Sequence, residues 1–430
     1  RLDSTLDPKA LVPLLDRNSI IMLNDWQFER PPTLHLDARG PRLDAMRASG
    51  TVELGPASYR DVDLLAATSR IEIVGQAVTY RAFEVRRAEG TGRGTFIYDF
   101  GRGEARLENV VSNMRPEKVA RWIDPEFVDD VLPYRFRTPP RVVADGVVKL
   151  GGSAGTRLRM EITGDYGMDY EFLGRDLPIE DVSGRLEIVD YDLFLEDFRG
   201  RLFGGDVALG ARISVDPDDP TYSCSIQLDN CDFQSVTGLY FDYTESEGKL
   251  SGSYRFSGRE TDPAQMTGGG EVVVLRGDVF AIPFLGPLSS LLNTIVPGMG
   301  YSIADRASAS FRIDDGVIST DDFEVLSEAF TMTGAGDILF LEDRLDFDVR
   351  INAKGLPGIL LFPVSKLFEY TATGTLDEPG WRPKLLPNTG GQPTPQSPRQ
   401  PPRESGQAPR TVDQLRLEAK PPQRRNPNQR

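Results

Sequence analysis

The chain has 430 residues, 27% charged and 39% hydrophobic, with 42 Gly and 32 Pro, a composition that favours many short strands broken by turns and a length that allows more than one packed unit. Net charge is −16; residues 386–430 hold eight basic and three acidic side chains, which leaves −21 on residues 1–385. An acidic field of that size excludes a nucleic-acid binder, which needs a basic footprint, and disfavours broad electrostatic adsorption to anionic headgroups, so any lipid contact is expected to be apolar and local.

The sequence begins at Arg1 without Met, a charged leader or an apolar leader core, and reads as a fragment or processed chain whose targeting segment lies upstream. No run of ~20 strongly apolar residues predicts a transmembrane helix. Period-2 alternation then dominates. Leu34 and Leu36 flank His35. Leu158, Met160 and Ile162 alternate with Arg159 and Glu161, and Val207, Leu209, Ala211 and Ile213 with Ala208, Gly210 and Arg212. Cys224, Ile226 and Leu228 flank Ser225 and Gln227. Leu345, Phe347, Val349 and Ile351 alternate with Asp346, Asp348 and Arg350. Each run predicts a strand with one dry and one wet face, the antiparallel signature.

Three segments break this rhythm. Residues 116–130 (PEKVARWIDPEFVDD) predict two short helical turns, with Pro116 and Pro125 near their starts. Residues 283–296 predict a helix with Leu288, Leu291, Leu292 and Ile295 at 3–4 spacing. Residues 357–370 are a second apolar, partly helical stretch, with Leu360, Leu361 and Phe362. From residue 388 the chain is rich in Pro, Gln and Arg with almost no large apolar residues, which predicts disorder.

A weak repeat runs through the strands. Ile71 leads to Phe83, Leu186 to Phe198 and Phe311 to Phe323, twelve positions on in each case, with a turn between and a Gly-containing turn after. The pattern predicts a recurring meander whose apolar face one unit cannot bury alone.

Catalytic signals are sparse. His35 is the one histidine, on the polar side of a strand, so a multi-histidine metal site is excluded. Ser153 lies in Gly151-Gly-Ser-Ala-Gly155, but residues 156–163 read as a strand, whereas a nucleophile elbow needs a following helix. The glycines at 90, 92, 94 and 268–270 lack dinucleotide or P-loop contexts and read as turns and bulges. The acidic groups at 216–219, 314–315 and 321–322 do not match a calcium loop. Cys224 and Cys231 would stand roughly 23 Å apart on one straight strand, too far to bridge, whereas a turn at Asp229-Asn230 would bring them closer.

Between Val279 and Ala304 no residue is charged, and Phe280, Phe284, Leu285, Leu288, Leu291, Leu292 and Ile295 fall within it. Pro283, Pro287 and Pro297 argue against a spanning helix. Two readings stay open: a helix covering the open end of the sheet, or an amphipathic element seated on a bilayer.

The motifs of this C-terminal third resemble the AsmA-like C-terminal region family. They are Gly277-Asp-Val-Phe-Ala-Ile-Pro-Phe-Leu-Gly-Pro-Leu288, Ala309-Ser-Phe-Arg-Ile-Asp-Asp-Gly-Val-Ile318, Gly334-Ala-Gly-Asp-Ile338, Leu345-Asp-Phe-Asp-Val-Arg-Ile351 and the Gly374-Thr-Leu-Asp-Glu-Pro379 core of residues 368–383. The resemblance spans roughly residues 248–383 and brings no catalytic motif. It implies a diderm periplasmic protein, held to the inner membrane by an N-terminal helix that this chain lacks, with a curved sheet whose apolar groove takes phospholipid. The resulting expectation is a mostly β, extended, twisted antiparallel sheet curled into an apolar groove. Residues 1–247 form a β-rich groove region, 248–387 the AsmA-like β region and 388–430 a disordered tail. The expected function is non-enzymatic lipid binding or transfer supporting outer-membrane lipid homeostasis, without cofactor or metal. Expected partners are phospholipid acyl chains, a membrane surface at one end and an envelope protein at the tail. Phe280, Phe284, Leu285, Leu288, Leu291, Leu292, Ile295, Leu360, Leu361, Phe362, Phe347 and Val349 are the candidate lipid or membrane contacts. The alternative is a structural assembly factor for outer-membrane biogenesis acting through protein contacts.

Overall fold

The computed structural model describes residues 2–10, 23–40, 47–123, 125, 127–150, 152–172, 174–259, 262–295, 297–354, 369–376 and 378–384. The expected tail at 388–430 and Leu360, Leu361 and Phe362 lie outside them, as does all of the 357–370 stretch except Glu369 and Tyr370, which begin a strand.

In chain order, the first strands are β1 (Leu2–Ser4), β2 (Trp26–Phe28), β3 (Thr33–Arg39), β4 (Arg47–Leu54), β5 (Ala57–Tyr59), β6 (Val62–Leu64), β7 (Ala66–Val74), β8 (Ala77–Arg86), β9 (Thr91–Asp99) and β10 (Glu104–Ser112). Helices α1 (Pro116–Ile123) and α2 (Phe127–Val131) follow, where the sequence predicts two helical turns. Next come β11 (Tyr134–Phe136), β12 (Arg141–Lys149), β13 (Arg157–Gly164), β14 (Met168–Phe172), β15 (Arg175–Val189), β16 (Asp192–Leu202), β17 (Gly205–Ser214) and β18 (Thr221–Asp232), then helix α3 (Phe233–Phe241). After β19 (Lys249–Arg259) and β20 (Thr267–Gly277) comes helix α4 (Gly286–Ile295). The chain continues with β21 (Ala304–Asp314), β22 (Val317–Ser327), β23 (Phe330–Leu339), β24 (Arg344–Ala353), β25 (Glu369–Gly374) and β26 (Pro379–Pro383).

Among the described residues, 23 strands join one sheet and β2, β5 and β6 form a second. In the large sheet, β11 and β14 branch from the first residues of β15. The other 21 pair in series, each antiparallel to its nearest neighbour in the chain, from β1 to β26. The molecule is therefore mostly β, one long antiparallel sheet with a few short helices.

Serial hairpins give this sheet two rims with different contents. At one rim the connections are short turns: 75–76, 100–103, 150–156, 190–191, 215–220, 315–316 and 340–343. Among the described residues, the small sheet and helices α1 to α4 lie at the other. Pro116 opens α1, and Pro287 sits in the first turn of α4, where a missing N–H is harmless. Asp232 caps α3 by accepting from the Ser235 N–H at 3.0 Å, and the left-handed Asp242 (φ 54°) ends it. Arg60 donates to the carbonyls of Trp122 and Ile123, so its charge meets the negative end of α1.

The alternation seen in the sequence is interrupted every few strands, and β-bulges absorb the interruptions. The register shifts between Tyr80 and Phe83, Leu107 and Val110, Leu195 and Phe198, and Leu228 and Cys231. Ala82, Asn109, Asp197 and Asn230, inside these steps, all have φ of 47–57°. One extra left-handed residue turns the next side chain back to the face it would otherwise leave. The twelve-residue repeat follows from this device. Phe83 and Phe198 are the first apolar residues after a bulge, and Phe323 follows a similar shift between Thr320 and Phe323. Each ring needs a glycine beside it: Phe83 pairs with Gly94 and Phe323 with Gly334, while a Cβ on Gly184 would stand 2.5 Å from the Phe198 ring.

Cys224 and Cys231 sit on the same strand, β18, and both are free thiols. The Asp229-Asn230 site is a bulge rather than a turn, so it does not fold the strand back to bring them together.

Candidate functional site

Cross-strand register decides which side chains share a face. Starting from Leu345, two residues from Phe347, the pairs run through Ile338, Ile318, Ile313 and Gly268 to Phe256, Cys224, Ala211, Leu195, Leu186, Met160, Ala144, Val110 and on to β9 and β8. On the same face lie Tyr80, Phe96, Tyr98, Leu107, Leu158, Ile162, Ile188, Leu193, Leu209, Ile213, Tyr222, Ile226 and Tyr254. The sheet thus has one predominantly apolar face over its whole length. The opposite face carries Arg159, Glu187, Arg212, Gln227, Arg255, Glu271, Arg312, Asp346 and Asp348, many in exposed ion pairs such as Arg159–Glu187 and Lys384–Asp348. His35 belongs to that polar face, with Nδ1 2.7 Å from Asp3 Oδ1.

The apolar face is covered unevenly. At its C-terminal end, α4 and the 3-10 turn Val279–Ala281 lie on β22–β25. Leu285, Leu288, Leu292, Val325, Phe330, Met332, Ile351 and Ala372 are fully buried there, with Phe347, Val349 and Phe280 nearly so. Phe284 packs edge-on against Phe347 (5.7 Å between centroids), Phe280 contacts Phe330, and Leu291 packs on the rim of the cluster. The Trp381 indole donates to the Phe284 carbonyl at 2.8 Å and ties the last strand to this lid. Of the two readings open for residues 279–304, the helix covering the end of the sheet is the arrangement present. Of the sequence-predicted contacts, Phe280, Phe284, Leu285, Leu288, Leu291, Leu292, Phe347 and Val349 come together as one protein core. The side chain of Ile295, like Leu360, Leu361 and Phe362, lies outside the described residues.

Among the described residues, no such lid lies on the same face from β8 to β19. Phe96, Leu158, Met160, Ile162, Leu186, Leu195, Phe198, Leu209, Ile213, Ile226, Tyr254 and Phe256 are all partly exposed, unlike the zero exposure of Leu288 and Leu292. Their surroundings are nonetheless poorly hydrated. Burial pushes the Cys224 thiol up to about 11 and the Tyr254 hydroxyl up to about 12, so both stay neutral at any physiological pH. These central side chains are the candidate site. Several belong to runs legible in the sequence; what was not legible is that the lid stops at the C-terminal strands.

The chemical candidates hold structural positions. Ser153 is in the β12–β13 turn, its carbonyl accepting from Thr156 N–H. Cβ atoms on Gly268 and Gly270 would stand 2.2 Å from backbone oxygens of β19, and the space beside Gly92 is taken by Met114. Asp322 accepts from Ser310, whose hydrogen bonds hold its carboxyl below the usual range against a smaller effect of burial. Among the described residues no three His, Cys, Asp or Glu groups converge as a metal site, and no helix is long and apolar enough to cross a membrane.

No protein-family model matches the chain, and no curated protein matches it.

Proposed function

We propose that this chain is a non-enzymatic lipid-binding or lipid-transfer protein of the AsmA-like kind, working in the periplasm and supporting outer-membrane lipid homeostasis. The observation that carries the reading is the continuous apolar face that bulges preserve and that, among the described residues, protein covers only at one end. A single open sheet with a long, uncovered greasy face is unstable in water unless something apolar lies on it. Acyl chains do so at about 0.8 kcal/mol per buried CH₂.

The geometry suits that cargo. Ten serial strands from β8 to β19 give a trough roughly 45 Å long at ~4.8 Å per strand. A bilayer's hydrocarbon core of ~30 Å holds two chains end to end, so the trough accommodates about three. Aligned bulges raise local twist and bend strands, which supports the curling of the sheet around its apolar side. The polar face, with its many ion pairs, keeps the outside wetted. The lid of α4 closes the C-terminal end, so lipid enters or leaves along the rims or toward the N-terminal strands. An upstream helix would anchor the protein to the inner membrane.

The assembly-factor alternative needs a sheet edge that accepts another strand. The β26 edge is poorly suited. Lys384 N–H donates inward to the Glu369 carbonyl, so alternation turns positions 379, 381 and 383 outward, and Pro379 and Pro383 have no N–H to offer.

The test is phospholipid content of the protein extracted without harsh detergent, read by mass spectrometry. Ile226→Arg in the trough is expected to lose the lipid and Gln227→Arg on the wet face to keep it. A lipid-free wild type, or equal loss in both variants, refutes the reading.

A further inference from the structure

The wet face carries a second feature that the lipid trough does not use. Where β9, β10, β12 and β13 meet the helix-bearing rim, a cleft of about 420 Å³ opens on the polar side of the sheet. Its lining includes Arg93, Arg141, Asn113, Thr163, Asp165 and Tyr166. Register explains the convergence. Arg93 pairs with Val111, Val111 with Val143, and Arg141 stands two residues from Val143 opposite Thr163. The two arginine Cα atoms are therefore roughly 12 Å apart, two strand spacings across and two residues along. Two extended arginine side chains close such a gap onto one anion.

Elsewhere on this face arginines are often engaged, as in Arg159 with Glu187 or Arg212 with Asp192. Among the described residues neither Arg93 nor Arg141 makes an ion pair or a side-chain hydrogen bond, although Glu84 is the cross-strand neighbour of Arg93. Asn113 uses its Oδ1 to accept from the Thr91 N–H at 2.6 Å, which leaves its amide NH₂ to donate. Tyr166 stands 71% exposed at the mouth, an open ring face. The lining thus offers two guanidinium forks, an amide donor and hydroxyls against one carboxylate, Asp165, in a chain whose overall charge is −16.

The geometry points to a binding site for a phosphate ester: two planar forks suit phosphate oxygens, and the volume suits a group larger than inorganic phosphate. A polar, glycerol- or sugar-sized body would lie against Tyr166, and a neighbouring ammonium or hydroxyl would meet Asp165. The phosphate could belong to a free metabolite or to a lipid headgroup. This site lies on the opposite face from the trough, so its failure leaves the lipid reading standing, and the reverse.

The test uses the full chain. sn-Glycerol 3-phosphate is titrated calorimetrically, and flotation is measured with phosphatidylglycerol vesicles. Saturable binding is expected, weakening as salt rises. Arg93→Gln with Arg141→Gln, both exposed and away from the core, is expected to weaken it about tenfold or more. Arg255→Gln, a wet-face arginine outside the cleft, is expected to change nothing, and circular dichroism checks the fold of each variant. Arginine-dependent binding of the soluble ester identifies a free phosphate as a ligand; arginine-dependent binding of vesicles alone identifies a headgroup. No saturable binding of either probe at millimolar concentration, or equal binding by the double variant, overturns the proposal.

Discussion

A leucine removed from under the lid and a leucine removed from the central strands of the apolar face should cost very different amounts in protein freed of any lipid. Leu292 has zero exposure and is enclosed by α4 and the C-terminal strands. Leu292→Ala leaves a closed cavity, for which about 3–5 kcal/mol is the normal loss. Leu195 pairs with Leu186 and Ala211 on either side, but its outer surface is not enclosed. Leu195→Ala removes neighbour contacts without sealing a void, so about 1–1.5 kcal/mol is expected. The assay is urea unfolding of protein stripped of lipid. In a background with Trp26→Phe and Trp122→Phe, the emission of Trp381, which packs with the lid, reports on the C-terminal end, and circular dichroism reports on the sheet. Contacts in a serial sheet are local, so the two probes need not move together. If lipid binds as proposed, restoring it should raise the cost of Leu195→Ala, because a ligand of the native central face stabilises only the folded state. If Leu195→Ala costs as much as Leu292→Ala without lipid, protein already encloses the central face and the reasoning fails.

Gly146 has φ 147°, and a Cβ there would stand 2.1 Å from the Arg157 carbonyl oxygen, so Gly146→Ala should destabilise by about 1–3 kcal/mol in the same urea titration. With its thiol pushed up to about 11, Cys224 should react with Ellman's reagent about tenfold more slowly at pH 8 than a cysteine of ordinary pKa, the scarcer thiolate being partly offset by its higher nucleophilicity, and both cysteines should titrate as free thiols once the protein is unfolded. At Asp348, burial raises the carboxyl pKa, but hydrogen bonds from Lys384 and Thr371 outweigh it and hold it below the usual range. A carboxyl depressed in the folded state adds stability above its unfolded pKa and loses it as pH falls through the folded value. The urea midpoint should therefore drop below about pH 4, and Asp348→Asn should flatten that drop. Phe347→Asp should unfold the C-terminal end, seen as loss of the Trp381 signal, because it places a carboxylate at a position only 2% exposed.

Much of the fold was legible because period 2 is a direct consequence of strand geometry. Leu345 to Ile351 and Leu158 to Ile162 lie on strands with their apolar residues on the shared face, as the alternation predicts. The helices at 116–123 and 286–295 were legible from prolines at their starts and 3–4 spacing. The steps from Leu195 to Phe198 and Leu228 to Cys231 were not, since a three-residue step looks like the end of a strand unless a left-handed residue is known to sit inside it. The candidate site was harder still. Sequence hydrophobicity peaks at residues 279–296, and that peak marks the segment with the most partners, not the one in need of them. Which greasy residues stay uncovered depends on how far α4 reaches across the sheet, a long-range fact that no local pattern records. The arginine cleft depends likewise on register across four strands.

Photo-cross-linking inside living cells probes most directly whether hydrocarbon lies on the central strands. A benzophenone amino acid replaces Leu209 in the trough, Gln227 on the wet face or Phe323 at the covered end, where its ring packs on Phe347, in three separate proteins. The trough position is expected to yield phospholipid adducts, and the other two none. Adducts at all three alike, or at none of them, would contradict the account.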